Sequence, residues 1–298
     1  MPSASWNCPS RNSTTVEPGS SSRICAATSG VNPSLKKPSG LTMKSDLTEL
    51  SMIAEKDFFA EAPITATSVI SASPIINAAA VVAVRRAVGG RAYVSASVGP
   101  TGLLLKPYGE ADPTALAAGF ERQIGALAAA GADLVCIETM TDLAEALLAV
   151  RAARAAAPGL PVMVTLTFEK TRRGFFTVMG NPLAQAAAEL GAAGADILGS
   201  NCGNGSETMV EVARELRQCT GRPLAIQPNA GLPEPRGGAV VYPETPEFMA
   251  TQARALIAAG VQLVGGCCGT TQAHIRALRA VVDAAARGRI VTGGTEAP

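Results

Sequence analysis

From Ile75 onward, apolar residues recur in two alternating rhythms. Short, nearly continuous runs rich in Val, Ile and Leu lie at Arg91–Val98, Asp133–Glu138, Pro161–Thr167, Asp196–Asn201, Pro223–Gln227 and Gln262–Gly266. Unbroken apolar character over so few residues marks strands covered on both faces. Between them lie Ala/Leu-rich stretches with helical spacing, at Asn77–Val88, Pro113–Ala130, Leu143–Ala156, Pro182–Ala193, Ser206–Cys219, Pro246–Ala259 and Gln272–Arg287. The segments AAAGAD, LGAAGAD and IAAGVQ put glycine where a helix closes with positive φ before the next strand. Six β-then-α units at this spacing predict a parallel sheet with right-handed crossovers. A doubly wound sheet fits the count too, but no strand leads into a GxGxxG turn with an acidic residue at the right distance. The expected fold is therefore α/β, a (β/α)8 TIM barrel, with two units still to come from the first 74 residues.

The rhythm fails in that first stretch. Residues 1–41 are rich in Ser, Pro, Asn and Thr, with few apolar anchors, and read as an irregular or disordered segment. Leu47, Leu50 and Ile53 share one face of a candidate helix at Asp46–Phe59, and Pro63–Ser71 reads as a β-run. Composition breaks at the same place, with 15 serines in residues 1–73 against 4 in residues 74–298. The expected layout is an irregular segment at 1–41, a barrel at 42–290 whose first two β/α units are atypical or incomplete, and a tail at 291–298.

Charge narrows the class of partner. The 298 residues carry 25 Lys+Arg against 24 Asp+Glu, so there is no electrostatic case for nucleic acid or an anionic membrane surface. No apolar run approaches the ~20 residues of a transmembrane helix. The start MPSASWNCPSRNSTTV is too polar for a secretory signal, and a cytoplasmic location is expected.

Candidate chemistry concentrates in the cysteines. Seven at irregular spacing do not form a disulfide framework. Cys202 in GSNCGNG and the pair Cys267 and Cys268 in VGGCCGTT follow strands and precede helices, which places their thiols at the C-terminal ends of strands, the face on which barrels build active sites. Adjacent strand residues point to opposite sides, so Cys267 and Cys268 can share an ion only if the chain turns, and Gly265, Gly266 and Gly269 supply that freedom. Three thiolates would leave the fourth tetrahedral position of Zn²⁺ to water or substrate, as in a catalytic site. A vicinal disulfide, a redox dithiol and simple buried hydrophobes remain open alternatives at this point, and Cys136 and Cys219 fit the last.

The segments VGPTG at 98–102, GADLVCIET at 131–139, NCG at 201–203, QPNAGLP at 227–233 and GGCCGTT at 265–271 together resemble the zinc-dependent homocysteine S-methyltransferases. That family includes the betaine-dependent enzymes and the N-terminal module of cobalamin-dependent methionine synthase. The resemblance covers about residues 75–285 and implies a (β/α)8 barrel, with zinc held by Cys202, Cys267 and Cys268. It implies methyl transfer to homocysteine, giving methionine, with the substrate thiolate on zinc as nucleophile. Glu138 matches the acceptor of the substrate ammonium, and Asn229 a position beside the metal that orients the substrate or a loop, so both are expected to bind substrate. Thr270 and Thr271 read as helix caps, and His274 as a local hydrogen-bonding group rather than a fourth ligand. TFEKTRRGFFTVMG resembles the methionine-synthase module more than the betaine enzymes, which implies methylcobalamin on a separate corrinoid protein, with betaine and S-methylmethionine left open as donors. The family's Asp-Gly-rich first strand and its Asn-Thr-Phe element are absent before residue 75. A catalytically impaired zinc-binding barrel, serving as subunit or partner of a corrinoid protein, is the alternative.

Overall fold

The computed structural model describes residues 74–288. The candidate helix at Asp46–Phe59, the β-run at Pro63–Ser71 and the segments 1–41 and 291–298 lie outside these residues.

Seventeen elements follow in order: α1 (Pro74–Val88), β1 (Ser95–Val98), α2 (Pro113–Ala129), β2 (Leu134–Met140), α3 (Leu143–Ala156), β3 (Val162–Leu166), β4 (Glu169–Thr171), β5 (Gly174–Phe176), α4 (Leu183–Ala193), β6 (Ile197–Gly205), α5 (Ser206–Cys219), β7 (Leu224–Asn229), β8 (Glu234–Arg236), β9 (Ala239–Val241), α6 (Pro246–Ala258), β10 (Leu263–Val264) and α7 (Gln272–Ala286). Six strands form one parallel sheet in the order β1-β2-β3-β6-β7-β10, so every expected unit is present and takes its place in chain order. A steady progression of this kind is the arc of a barrel, whereas a doubly wound sheet reverses direction at a switch point. Within the described residues β1 and β10 bound the sheet. Two antiparallel hairpins, β4-β5 and β8-β9, stand outside it in the β3–α4 and β7–α6 connections. Neither was expected, because three-residue strands carry too little apolar periodicity to register. No helix among the described residues is long and apolar enough to cross a membrane.

The helices begin where local chemistry satisfies their free N–H groups. Asp112 accepts from Thr114 N–H at 2.9 Å ahead of Pro113, and Asp142 accepts from Ala144 N–H at 2.8 Å. They end at the expected glycines, with Gly131, Gly194 and Gly260 at φ of 95°, 109° and 83°. The polar residue two places later then pins the strand below. Asp133 accepts Val94 N–H at 2.8 Å, Asp196 accepts Val162 N–H at 2.9 Å, and Gln262 accepts Leu224 N–H at 2.8 Å. Each bond ties the start of one strand to the start of its neighbour and fixes register. Arg85 and Arg154, from the helix of an earlier unit, pair with Asp133 and Asp196.

Two cores result. The larger lies between sheet and helices and includes Phe120, Ile124, Ile137, Val164, Leu198, Met209 and Ile226. The smaller, formed by Leu134, Cys136, Met163, Ile197, Ala225 and Leu263, lies on the opposite face of the sheet. Alternation along each strand then carries this second face upward to Glu138, Thr165, Asn201 and Gln227, all buried. An apolar floor thus supports a polar tier at the C-terminal ends of the strands. Removing one register pin tests this frame. Asp196→Ala leaves Val162 N–H and Arg154 without their carboxylate and is expected to lower unfolding free energy by about 2 kcal/mol in urea denaturation. A change under about 0.5 kcal/mol, the size of an ordinary surface substitution, would show that the pin contributes little.

Candidate metal centre

Cys202 lies within β6, where the strand's register against β7 shifts between Asn201 and Gly205. Cys202 itself has φ of 61°, unusual for a residue with a side chain. The local backbone is pinned from the loop after β3: Thr167 Oγ1 donates to Asn201 O at 3.0 Å, and Asn204 Nδ2 donates to Phe168 O at 2.6 Å. Behind it, Glu244 accepts from Ser206 N–H at 3.0 and 3.1 Å, holding the start of α5.

Cys267 and Cys268 follow the short β10. Gly265 N–H donates to Ile226 O at 3.0 Å and Cys267 N–H to Pro228 O at 2.8 Å, so ladder bonds continue past the strand. At Cys268 the pattern changes, and its N–H donates to the side-chain Oδ1 of Asn229 at 3.1 Å. The turn brings the second cysteine to the side of the first. Of the three glycines expected to permit it, Gly269 has φ of 78° and sits against Tyr242, where a Cβ would come 2.1 Å from the ring. Gly266 serves closeness instead, since a Cβ there would meet Thr270 Cγ2 at 2.5 Å. Thr270 is not a helix cap as expected: its Oγ1 donates to Cys267 O at 2.7 Å, and Thr271 caps α7.

The three sulfur atoms lie within 4.8 Å of one another. Cys202 Sγ and Cys268 Sγ are 3.7 Å apart, and all five cysteines of the described residues are free thiols. A tetrahedral zinc site with Zn–S of about 2.3 Å requires sulfurs about 3.8 Å apart, whereas a disulfide requires about 2.05 Å. The donor set and its spacing therefore fit zinc.

Ionisation of the cluster is held back by its own members. Hydrogen bonding to Cys202 and Cys268, with burial added, pushes the Cys267 thiol far above its ordinary value. Cys202 is drawn down by its hydrogen bond to Cys267, yet the bond to Cys268 and burial carry it up to about 11. One negative sulfur opposes the next, and a dication reverses that sign.

The other expected residues are placed as follows. Glu138, 4% exposed at the end of β2, accepts from Ser97 Oγ and from Cys136 Sγ, the latter at 3.9 Å. Cys136 is thus buried, as expected, with a polar contact as well. His274 is a local group: Thr271 N–H donates to its Nδ1 at 3.1 Å, which leaves the proton on Nε2 to reach Glu244 O at 2.9 Å. Two buried polar residues had no expected role. Glu145 accepts Thr101 N–H at 2.8 Å and anchors the VGPTG loop, and burial raises its pKa. Asn201 is 1% exposed and donates from Nδ2 to Cys267 Sγ at 3.8 Å. Its signal in the sequence was a polar residue at an inward strand position directly before a cysteine.

Comparison with known proteins decides the family. A profile of homocysteine S-methyltransferases matches residues 56–282, reaching further toward the N-terminus than the motifs do. This chain belongs to the homocysteine S-methyltransferase family. Over 208 residues it is 34% identical to a methionine synthase of Mycobacterium leprae, covering 68% of this chain and 17% of that protein. Over 197 residues it is 34% identical to the Mycobacterium tuberculosis methionine synthase, covering 64% and 16%. The chain thus spans about a sixth of the length of these curated relatives. Among solved structures, the apo form of the homocysteine methyltransferase MmuM from Escherichia coli superposes with a TM-score of 0.57 at 26% identity, covering 73% of this chain and 78% of that one. Its metallated form matches with the same score and identity, over 70% of each chain.

Proton competition gives a direct test of the family member's sulfur cluster. Raised thiol pKa values mean that binding a cation must displace the Cys202 and Cys267 protons, so affinity falls as pH falls. Zinc affinity, from chelator competition between pH 8 and 6, is expected to weaken by about tenfold per pH unit for each proton displaced. An affinity independent of pH would show that the thiols are already ionised.

Proposed function

We propose that this chain is a zinc-dependent methyltransferase acting on the thiol of homocysteine and giving methionine. The convergence of Cys202, Cys267 and Cys268 within 4.8 Å carries the reading. It is supported by membership of the family and by the likeness to a homocysteine methyltransferase solved in metallated form.

Cys202, Cys267 and Cys268 would hold the zinc, and the chemistry it would supply there is to acidify a substrate thiol so that the thiolate is available at neutral pH. Asn229 fixes the second ligand of the pair by accepting the Cys268 N–H. Glu138 receives the substrate ammonium, in a buried setting where a carboxylate and an ammonium gain more from one another than in water. The substrate sulfur forms a bond to the donor's methyl carbon while the donor–methyl bond breaks, and that bond's electron pair leaves with the donor. The product thioether is neutral and would be a weaker ligand for zinc than the thiolate, which would favour its release.

For the donor we take methylcobalamin on a separate corrinoid protein, in keeping with the mycobacterial methionine synthases of which this chain matches one part. The site lies within a barrel assigned to residues 42–290, between an N-terminal segment 1–41 and a tail 291–298. The five cysteines of the described residues are free thiols, which agrees with a reducing, cytoplasmic setting.

The test combines metal content with turnover. The purified chain is expected to hold one equivalent of zinc per cluster and to move a methyl group from methylcobalamin to homocysteine. Cys267→Ala should lose zinc and at least about 100-fold in rate, since removal of one of three ligands exceeds the effect of a supporting residue. Undiminished turnover in that variant would refute the mechanism. Zinc binding without turnover, and without a new sulfur ligand in the X-ray absorption spectrum on adding homocysteine, would instead favour an impaired barrel.

A further inference from the structure

Among the described residues, two that are not glycine have positive φ, Thr139 at 60° and Cys202 at 61°. Both are joined to one side chain. Asn201 directly precedes Cys202, and its Oδ1 accepts Thr139 N–H at 2.7 Å. Because a backbone N–H can only donate, that bond fixes which end of the amide is oxygen. Thr165 Oγ1 donates to the same oxygen at 2.7 Å. The two hydrogens on Nδ2 then have two acceptors, Thr139 Oγ1 at 2.7 Å and Cys267 Sγ at 3.8 Å. Every donor and acceptor of a fully buried amide is used, and one is spent on a sulfur.

We propose that Asn201 is a positioning residue for the metal centre: it orients the Cys267 sulfur and, by donating an N–H to it, sets how much charge that sulfur gives to the ion. Backbone strain on both sides of it has a use on this reading, since Thr139 and Cys202 adopt costly conformations that deliver the amide and the thiol to one place. A hydrogen bond to a coordinating thiolate stabilises its negative charge, lowers its donation to the metal and keeps the ligand in one rotamer. The inference rests on the zinc site proposed above and extends it to a residue that touches neither metal nor substrate.

Two substitutions and one measurement on the unaltered protein test it. Asn201→Asp keeps the oxygen that Thr139 needs and replaces the donor with a negative oxygen, and Asn201→Leu removes the donor without adding charge. Zinc affinity by chelator competition is expected to fall by about 10- to 100-fold in both. In cobalt-substituted protein the sulfur-to-metal charge-transfer band should move to lower energy in both, a change that lost stability alone does not produce. Folded variants with parental affinity and an unmoved band overturn the proposal, as does a shift confined to Asn201→Asp, which would report added charge only. Where the variants do not fold, the unaltered chain loaded with a spin-active cadmium isotope decides. Scalar coupling from cadmium to an Asn201 side-chain amide proton is expected, and its absence overturns the assignment. A parent chain that binds no zinc or cadmium at the triad would overturn the metal reading and this one together, whereas a parent that binds normally isolates the failure to Asn201.

Discussion

Three sulfur atoms must meet at one point although the strands that carry them are not neighbours. β6 and β10 are separated by β7, so their axes stand two inter-strand spacings apart, about 9.6 Å. The sulfurs of Cys202 and Cys268 are nonetheless 3.7 Å apart. Regular strands could not close that gap. β6 does so through the register shift and positive φ at Cys202, and β10 by ending after two residues and turning at Cys268. β7 contributes the support in the middle, with Pro228 O holding Cys267 N–H and Asn229 holding Cys268 N–H. The bends stay in place because the lower ends of the strands cannot slip, each being tied by a side chain to its neighbour's backbone.

Much of this frame was readable from the chain. Strands buried on both faces write themselves as unbroken apolar runs, and α3 and α5 begin and end at the expected residues. The sulfur cluster was readable as well, because cysteine after strand and before glycine is rare enough to stand out. What stayed hidden depends on contacts between distant segments. The aspartate of the GAD repeats read only as the first residue of the next strand, and its service as a register pin appears only when Val94 or Val162 is placed beside it. Gly266 and Gly269 looked alike as turn formers, yet one makes room for Thr270 and the other for Tyr242. Thr270 resembled a cap and is a brace for the Cys267 carbonyl. The hairpins β4-β5 and β8-β9 left no periodic trace.

The vertical ordering of the inner face explains why a cluster of thiols and buried polar groups is compatible with a stable fold. Leu134, Met163, Ile197 and Leu263 fill the floor, where no hydrogen bonds are needed. One step up, Glu138, Thr165 and Asn201 are buried polar groups, each with a hydrogen-bond partner. Burial without partners would cost several kcal/mol per group, so these three are viable as members of a network rather than as separate side chains. The network also supplies rigidity, because changing one rotamer leaves several buried groups unpaired.

The end of β6 is the hub of that network, and its reach is symmetrical. Across β7 it meets β10 through sulfur, and across β3 it meets β2 through the Asn201 amide, with Thr165 of β3 bonded to the same oxygen on the way. Thr139, held by that amide, is the residue after Glu138. A displacement of the cysteine cluster therefore pulls on the strand end that carries the carboxylate. Under the proposed function, the groups that would receive a substrate's thiol and its ammonium must keep a matching separation. Two independent loops would drift relative to one another, whereas here a single buried amide ties the sulfur site to the chain beside Glu138. The strain at Thr139 and Cys202 is then the local cost of joining, in one rigid piece, two strand ends that the sheet itself keeps apart.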